Sequence, residues 1–132
     1  MIKDFLLQTP GRTAFIDITA QVEKIVAGTS VRNGTCIVFV PHTTAGITIN
    51  ENADPSVRSD MIDALDKIVP EDAPYAHSEG NSPAHVKASI MGNSETIIIK
   101  DGSLFLGTWQ GIYFCEFDGP RKRRVAVKIA GD

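Results

Sequence analysis

The sequence predicts an α+β fold, a mainly antiparallel β-sandwich or open barrel of about eight strands with two or three helices. Short apolar runs recur along the chain between turn residues, a pattern typical of strands. The helical segments do not alternate regularly with the strands, as a parallel βαβ sheet would require. The 132 residues, 42% of them hydrophobic, are enough for one domain with a hydrophobic core. We therefore expect a single domain spanning residues 1–132.

The strands are predicted from apolar runs and from period-two alternation. Turn pairs at Pro10-Gly11, Asn33-Gly34 and Asp101-Gly102 separate several of them. The run at 35–40 is apolar on both faces, which indicates a central strand. The predicted strands cover residues 5–9, 13–18, 35–40, 45–50, 96–100, 104–106, 112–117 and 125–129.

Three helices are predicted from helical periodicity and from capping residues. Asp54 is expected to cap the second helix, with a proline in the first helical position; a role for Asp54 in a site is the alternative. Ser82 and Pro83 have the same relation at the start of the third helix. The predicted helices cover residues 19–28, 54–68 and 82–92.

Composition limits the function classes. A net charge of -3 predicts no general attraction to nucleic acid or to membranes. No run approaches the roughly 18 apolar residues of a membrane-spanning helix, and the N-terminus does not resemble a signal peptide, so a cytoplasmic location is expected. Cys36 and Cys115 lie in apolar strands and are expected to be buried thiols, with a disulfide or a thiolate ligand as the alternative.

The three histidines are His42, His77 and His85. His42 follows a predicted central strand, where polar groups can project from a rigid support. His85 lies in the first turn of the third helix, whose positive end favours the neutral imidazole that binds metals. We predict that all three bind one divalent metal ion. Their spacing matches no zinc-finger or HExxH pattern, so hydrogen-bonded histidines without a metal are the alternative.

Other polar residues have no obvious structural role. Asn50 and Glu51 follow a predicted strand where no cap is needed. The basic run from Arg121 to Arg124 is interpreted either as a guard on an edge strand or as a phosphate clamp. Trp109 is interpreted as a core or interface aromatic rather than a stacking platform.

Five blocks of the chain closely resemble the YjbQ family, also called secondary thiamine-phosphate synthase. They are PHTTA at 41–45, NENADPSVR at 50–58, HSEGNSPAH at 77–85, GTWQGIY at 107–113 and EFDGPR at 116–121. The resemblance implies packed β-sheets, a homotrimer and a site near the subunit boundaries. It also implies a metal at the histidines and an ability to make thiamine phosphate.

The implied reaction joins a pyrimidinylmethyl diphosphate to a thiazole phosphate and releases diphosphate. Zn²⁺ is expected at the histidines, and Mg²⁺ is possible with the diphosphate substrate. We expect catalytic roles for His42, Glu51 and Glu116. The small phosphorylated substrate is expected to contact Thr43, Thr44, Asn50, Asn81, Gln110, Arg121 and Arg123.

Two other functions fit the same residues. One is a metal-dependent phosphoesterase or another hydrolase, because three histidine ligands leave a position for activated water. The other is a non-catalytic trimeric module that binds a small anion. A (β/α)₈ barrel, which takes about 250 residues, is excluded by the length of the chain.

Overall fold

The computed structural model describes residues 1–132 and contains eight strands and three helices. All strand pairs are antiparallel, which confirms the predicted α+β class. In chain order the elements are β1 Ile2–Gln8, β2 Ala14–Asp17, α1 Thr19–Ala27, β3 Gly34–Phe39, β4 Ala45–Glu51, α2 Pro55–Ile68, α3 Ser82–Met91, β5 Ser94–Lys100, β6 Ser103–Leu104, β7 Gln110–Glu116 and β8 Lys122–Gly131.

The strands form two sheets that pack face to face. One has the order β1-β8-β3-β5-β6 and the other the order β2-β7-β4. Alternate side chains of β8, such as Val125 and Val127, point into the space between the sheets and are fully buried. They meet Ile47 and Phe114 from the smaller sheet in the main hydrophobic core.

Helices α2 and α3 cover the other face of the smaller sheet. A second core there joins Leu65 of α2 and Ala88 of α3 to Tyr113 and Phe117. Strand β7 is therefore buried on both faces, as its unbroken apolar run requires. Gly46 allows the end of α3 to approach β4 closely, because a Cβ at this position would lie 2.7 Å from the carbonyl oxygen of Gly92.

The ends of several elements differ from the predictions. Asp54 is the predicted N-cap of α2, and its carboxylate accepts hydrogen bonds from Ser56. Ser82, in contrast, is the first helical residue of α3, and Asn81 occupies the cap position without a capping bond. Ile18 occupies the cap position of α1 and also makes no capping bond. Strand β1 begins at Ile2 because pairing with β8 extends the ladder over charged residues that do not signal a strand.

Both cysteines are free and buried, as predicted. Burial raises the pKa of Cys36 to about 11 and raises the pKa of Cys115 as well. No helix of the structure has the length and apolar character needed to cross a membrane.

Candidate functional site

His42 lies just beyond the end of β3 and is fixed by the backbone of β8. Pairing between β3 and β8 stops at Phe39, which lies opposite Ala126. The next β8 amide that points toward β3 is that of Arg124, and it has no strand partner. The Arg124 N–H donates instead to His42 Nε2 at 2.9 Å. That nitrogen must therefore carry a lone pair, which places the proton of the neutral ring on Nδ1.

The surroundings of His42 also favour the neutral ring. Partial burial lowers its pKa below the ordinary value, and the nearby positive charge of Arg123 lowers it further. Because the ordinary value is already 6.5, His42 is mainly uncharged at neutral pH. A neutral imidazole with one fixed N–H can donate a hydrogen bond to an anionic substrate.

His77 and His85 lie against each other at the start of α3. Their ring centroids are 5.5 Å apart and the planes are nearly perpendicular, at 88°. Glu79 Oε2 lies 3.7 Å from His77 Nε2. A loop and a helix start thus bring two of the three histidines together, as the sequence analysis predicted for this stretch.

Two adjoining cavities flank His42. The first, about 510 Å³, receives polar groups from His42, Thr43, His85, Ser89 and Asn93. The second, about 420 Å³, is bordered by His42, Thr43, Thr44, Asn93, Arg121 and Arg123. His42, Thr43 and Asn93 belong to both, so the imidazole stands where the two cavities meet. His77 borders neither of them.

The predicted three-histidine metal site is not formed within one chain. No group of three His, Cys, Asp or Glu side chains is arranged to hold a metal ion. His77 and His85 are adjacent, whereas Nε2 of His42 is bound to the Arg124 amide. The three imidazoles do not form one metal-binding group within the isolated chain, and the metal at the histidines stays a prediction.

Glu116 is fully buried and holds Arg123. Its Oε1 accepts hydrogen bonds from Arg123 Nε and Thr9 Oγ1, both at 2.8 Å. Its Oε2 accepts from Arg123 Nη2 and from the backbone amides of Phe117 and Asp118. Burial alone would raise the pKa of Glu116, but the bonds from Arg123 and Thr9 outweigh it and hold the pKa below its ordinary value. Both oxygens of Glu116 thus accept hydrogen bonds within the chain, and the catalytic role expected for this residue stays a prediction.

The Arg123 side chain forms a buried ion pair with Glu116 and also borders the second cavity. Its Nη2 also donates to Thr44 Oγ1 at 2.8 Å, and the Thr44 hydroxyl keeps its own proton as a donor. The remaining nitrogen, Nη1, makes no hydrogen bond, although the side chain is only 3% exposed and borders the second cavity. A buried guanidinium with one free donor can bind an oxyanion.

Arg121 and Asn81 meet at Asp118. Arg121 Nη2 lies 3.2 Å from Asp118 Oδ2, and Asn81 Nδ2 donates to the same oxygen at 3.0 Å. Asn81 Oδ1 is buried without a hydrogen-bond partner. The basic run is thus largely paired within the chain, since Arg124 also binds Asp4 at 2.6 Å. The run from Lys122 to Arg124 lies in β8, an inner strand between β1 and β3, so these residues do not guard the outer edge of the sheet.

Three predicted site residues lie far from His42. Asn50, Glu51 and Gln110 are at the other end of β4 and β7, and β4 spans seven residues, about 20 Å. There Asn50 Oδ1 accepts from the Glu51 amide, and Gln110 Oε1 accepts from the Gly107 amide, both at 2.7 Å. The chain does not bring these residues to the two cavities.

The same end of the sheet carries the tryptophan. Trp109 is 62% exposed, so the prediction that it is a core or interface aromatic survives only as an interface prediction.

Two residues of the cavity walls, Ser89 and Asn93, are not among the predicted site residues. Ser89 lies four residues after His85 on α3, and this helical spacing could have indicated a shared face. Asn93 follows the end of α3 and has no motif of its own. It borders both cavities because its carbonyl accepts the Val40 amide at 2.7 Å, which joins the α3–β5 turn to the His42 segment.

Comparisons with known proteins agree with this fold. A UPF0047 protein of Methanocaldococcus jannaschii is 52% identical over 132 residues, covering 100% of this chain and 96% of that protein. YugU of Bacillus subtilis is 49% identical, with 99% of this chain and 100% of YugU covered.

Solved structures are also similar to this chain. An uncharacterized YjbQ/UPF0047 family protein of Clostridium acetobutylicum superposes with a TM-score of 0.95 at 58% identity, covering 97% of this chain and 99% of the other. A protein of unknown function from Sulfolobus solfataricus reaches 0.96 at 32% identity, with 100% and 97% covered. The family described as UPF0047 protein YjbQ-like matches residues 3–132. The chain therefore belongs to the UPF0047 family of YjbQ-like proteins.

Proposed function

We propose that the two adjoining cavities bind two phosphorylated substrates and that the protein is a transferase with thiamine-phosphate synthase activity. The observation that carries this proposal is the position of His42 on the shared wall of both cavities. A reaction that joins two molecules needs two compartments that meet at the reacting atoms. A hydrolase needs only one such compartment and a water.

The second cavity suits the diphosphate of the pyrimidine substrate. Arg123 Nη1 is a free donor in a buried guanidinium, and a charge-assisted hydrogen bond of this kind contributes about 1.5–3 kcal/mol. Arg121 borders the same cavity and is half-exposed. Glu116 holds the Arg123 guanidinium in place before the substrate arrives, so little reorganisation is needed.

The first cavity would then hold the thiazole phosphate. His85 and Ser89 of α3 and Asn93 just beyond its end supply polar side chains that would contact this substrate. In the proposed reaction the bond between the methylene carbon and the diphosphate oxygen breaks, and a bond from that carbon to the thiazole nitrogen forms. Diphosphate leaves with the electron pair, and Arg123 and the His42 N–H stabilise its developing charge.

A divalent metal ion, with Zn²⁺ at the histidines, is part of the same proposal but has no assigned step. His77 and His85 supply two adjacent imidazoles, and a third ligand would have to come from outside this pair.

We also propose that the protein is a homotrimer. The outer face of the larger sheet exposes apolar side chains at Ile2, Leu6, Ile37, Phe39 and Ile98. The strand register places Ile2 and Ile37 in one row on either side of Lys128, so these apolar side chains share one face of the sheet with a central lysine. Since Asn50, Glu51 and Gln110 are far from His42 in one chain, they would contribute only to a site completed by a second subunit.

Light scattering after gel filtration tests the assembly. The expected mass is three times the 14.3 kDa of the chain, and an Ile37→Asp, Ile98→Asp variant should be smaller. A monomeric wild-type protein would contradict the proposal.

The activity test uses purified protein with pyrimidinylmethyl diphosphate and thiazole phosphate, with Mg²⁺ or Zn²⁺ added. The expected result is thiamine phosphate and diphosphate in equal amounts, with product lost in His42→Ala. Lys122→Met is the control, because Lys122 lies between Arg121 and Arg123, which border the second cavity, but itself borders neither cavity. Absence of product from the wild type would refute the transferase, and release of inorganic phosphate would indicate a hydrolase instead.

A further inference from the structure

We propose that Lys87 and Glu71 position His77 against His85 by tying the segment that carries His77 to α3. This proposal rests on the proposed function in one respect, namely that the proposed function gives the pair of His77 and His85 a role. Lys87 is a lysine that is 2% exposed and lies two residues after His85, and no step described above uses it. A buried ammonium needs a structural or functional reason, because burial of a charge is costly unless it is paired.

The segment between α2 and α3 has almost no backbone anchors. Within residues 70–80 the only backbone hydrogen bond joins Tyr75 N–H to the Ala73 carbonyl, inside the segment itself. The Tyr75 hydroxyl also bonds internally, to the Pro70 carbonyl. The position of His77 therefore depends on side-chain contacts between this segment and the rest of the chain.

Glu71 makes the principal contacts at the start of the segment. Its Oε2 lies 2.8 Å from Arg12 Nη2, and its Oε1 lies 3.8 Å from Lys87 Nζ. Lys87 Nζ also lies 2.5 Å from Asp66 Oδ1, near the end of α2. One buried ammonium thus joins α3, α2 and the segment that leads to His77.

The two contacts of Glu71 are not equivalent. Arg12 and Glu71 are both at least half exposed, and an exposed pair contributes little to stability. Lys87 is buried, so its charge is screened weakly and attracts both carboxylates more strongly. Lys87 therefore adds an attraction on Glu71 from the side of α3, which the hydrogen-bonded contact with Arg12 does not replace.

The connectivity explains why this anchor controls the histidines. Glu71 ties the start of the segment to the middle of α3, and the chain returns to the start of α3 at Ser82. His77 lies between these two attachments, and both belong to the helix that carries His85. Loss of the Lys87 contact leaves the residues between the buried Val69 and Ser82 without an ion pair to the helix that carries His85.

The test is the NOE between the His77 and His85 rings in ¹³C-labelled protein without substrate. Ring centroids 5.5 Å apart place their protons within NOE range in the wild type. We expect Lys87→Met and Glu71→Gln to lose this NOE. Asp66→Asn is the matched control: it removes the other partner of Lys87 but leaves the contact with Glu71, so the NOE should persist while the melting temperature falls.

Every result of this NMR experiment either supports or overturns the proposal. If Lys87→Met does not fold, Glu71→Gln still tests the idea, since it leaves the ion pair between Lys87 and Asp66 intact. An NOE that survives in Glu71→Gln overturns the proposal, as does its equal loss in Asp66→Asn. The readout needs no turnover, so a failed synthase assay leaves this result interpretable, and loss of the NOE with normal synthase activity would separate the two proposals.

Discussion

Replacing Glu116 with glutamine should destabilise the protein strongly, although the two side chains have nearly the same shape. The substitution removes the charge opposite Arg123, whose guanidinium is 3% exposed, while Glu116 itself is fully buried. The amide nitrogen of glutamine would also face donors, because each carboxylate oxygen now accepts at least two hydrogen bonds.

The magnitude follows from the burial of the pair. Breaking a buried ion pair by removing one partner costs about 3–5 kcal/mol, because the other charge is left uncompensated. For a domain of this size 1 kcal/mol corresponds to about 3–5 °C in the melting temperature. We therefore expect Glu116→Gln to melt at least about 10 °C below the wild type.

The assay is urea denaturation of Glu116→Gln, Arg123→Met and the double variant at pH 7. Coupled residues should give a double variant less destabilised than the sum of the single variants, by about 0.5–3 kcal/mol. The wild type should also lose stability as the pH falls below about 4.5, since the pKa of Glu116 is held below its ordinary value in the folded state and the unfolded state takes up the proton first. Single variants that each cost less than about 1 kcal/mol, or that add without coupling, would refute the reasoning.

Three other predictions follow from the same structure. In an NMR titration the pKa of His42 should lie below 6.5, and a value above 6.5 would contradict the burial argument. The contribution of His42 to stability is then complete above pH 6.5 and is lost as the pH falls, because the unfolded state takes up the proton first. Gly46→Ala should lower the free energy of unfolding by about 1–3 kcal/mol, since the new Cβ would lie 2.7 Å from the Gly92 carbonyl oxygen. Gly11→Ala should change this free energy little, because a Cβ at position 11 would have no neighbouring atom within 4 Å. Equal effects of the two substitutions in denaturation curves would argue against the close packing of α3 on β4. Cys36 and Cys115 should react with a thiol reagent only after denaturation, since both are buried and the pKa of Cys36 is about 11; rapid labelling of the native protein would show that the core opens.

Local patterns in the sequence were enough to place most elements. The alternation of Val125, Val127 and Ile129 predicts an inward-facing strand, and Asp54 before a proline predicts the start of α2. These signals work because a strand face and a helix cap depend on neighbouring residues only. Strand ends were predicted less well, since the first residues of β1 are held by pairing with β8 rather than by their own composition.

The candidate site was predicted only in part. The sequence indicated that His77 and His85 meet, because a short loop and a helix start join them. The sequence also indicated Glu116 and Glu51 as candidate catalytic residues, but no pattern in it indicated which residues surround them.

Residue patterns alone therefore predicted the fold class, the family resemblance and the residue types available for chemistry. They did not predict that Glu116 is enclosed by Arg123, that His42 is held by the Arg124 amide, or that Glu51 lies about 20 Å along β4 from the cavities. These relations depend on strand register and on how far a pairing ladder extends. Contacts between distant strands set both, and no local pattern records them.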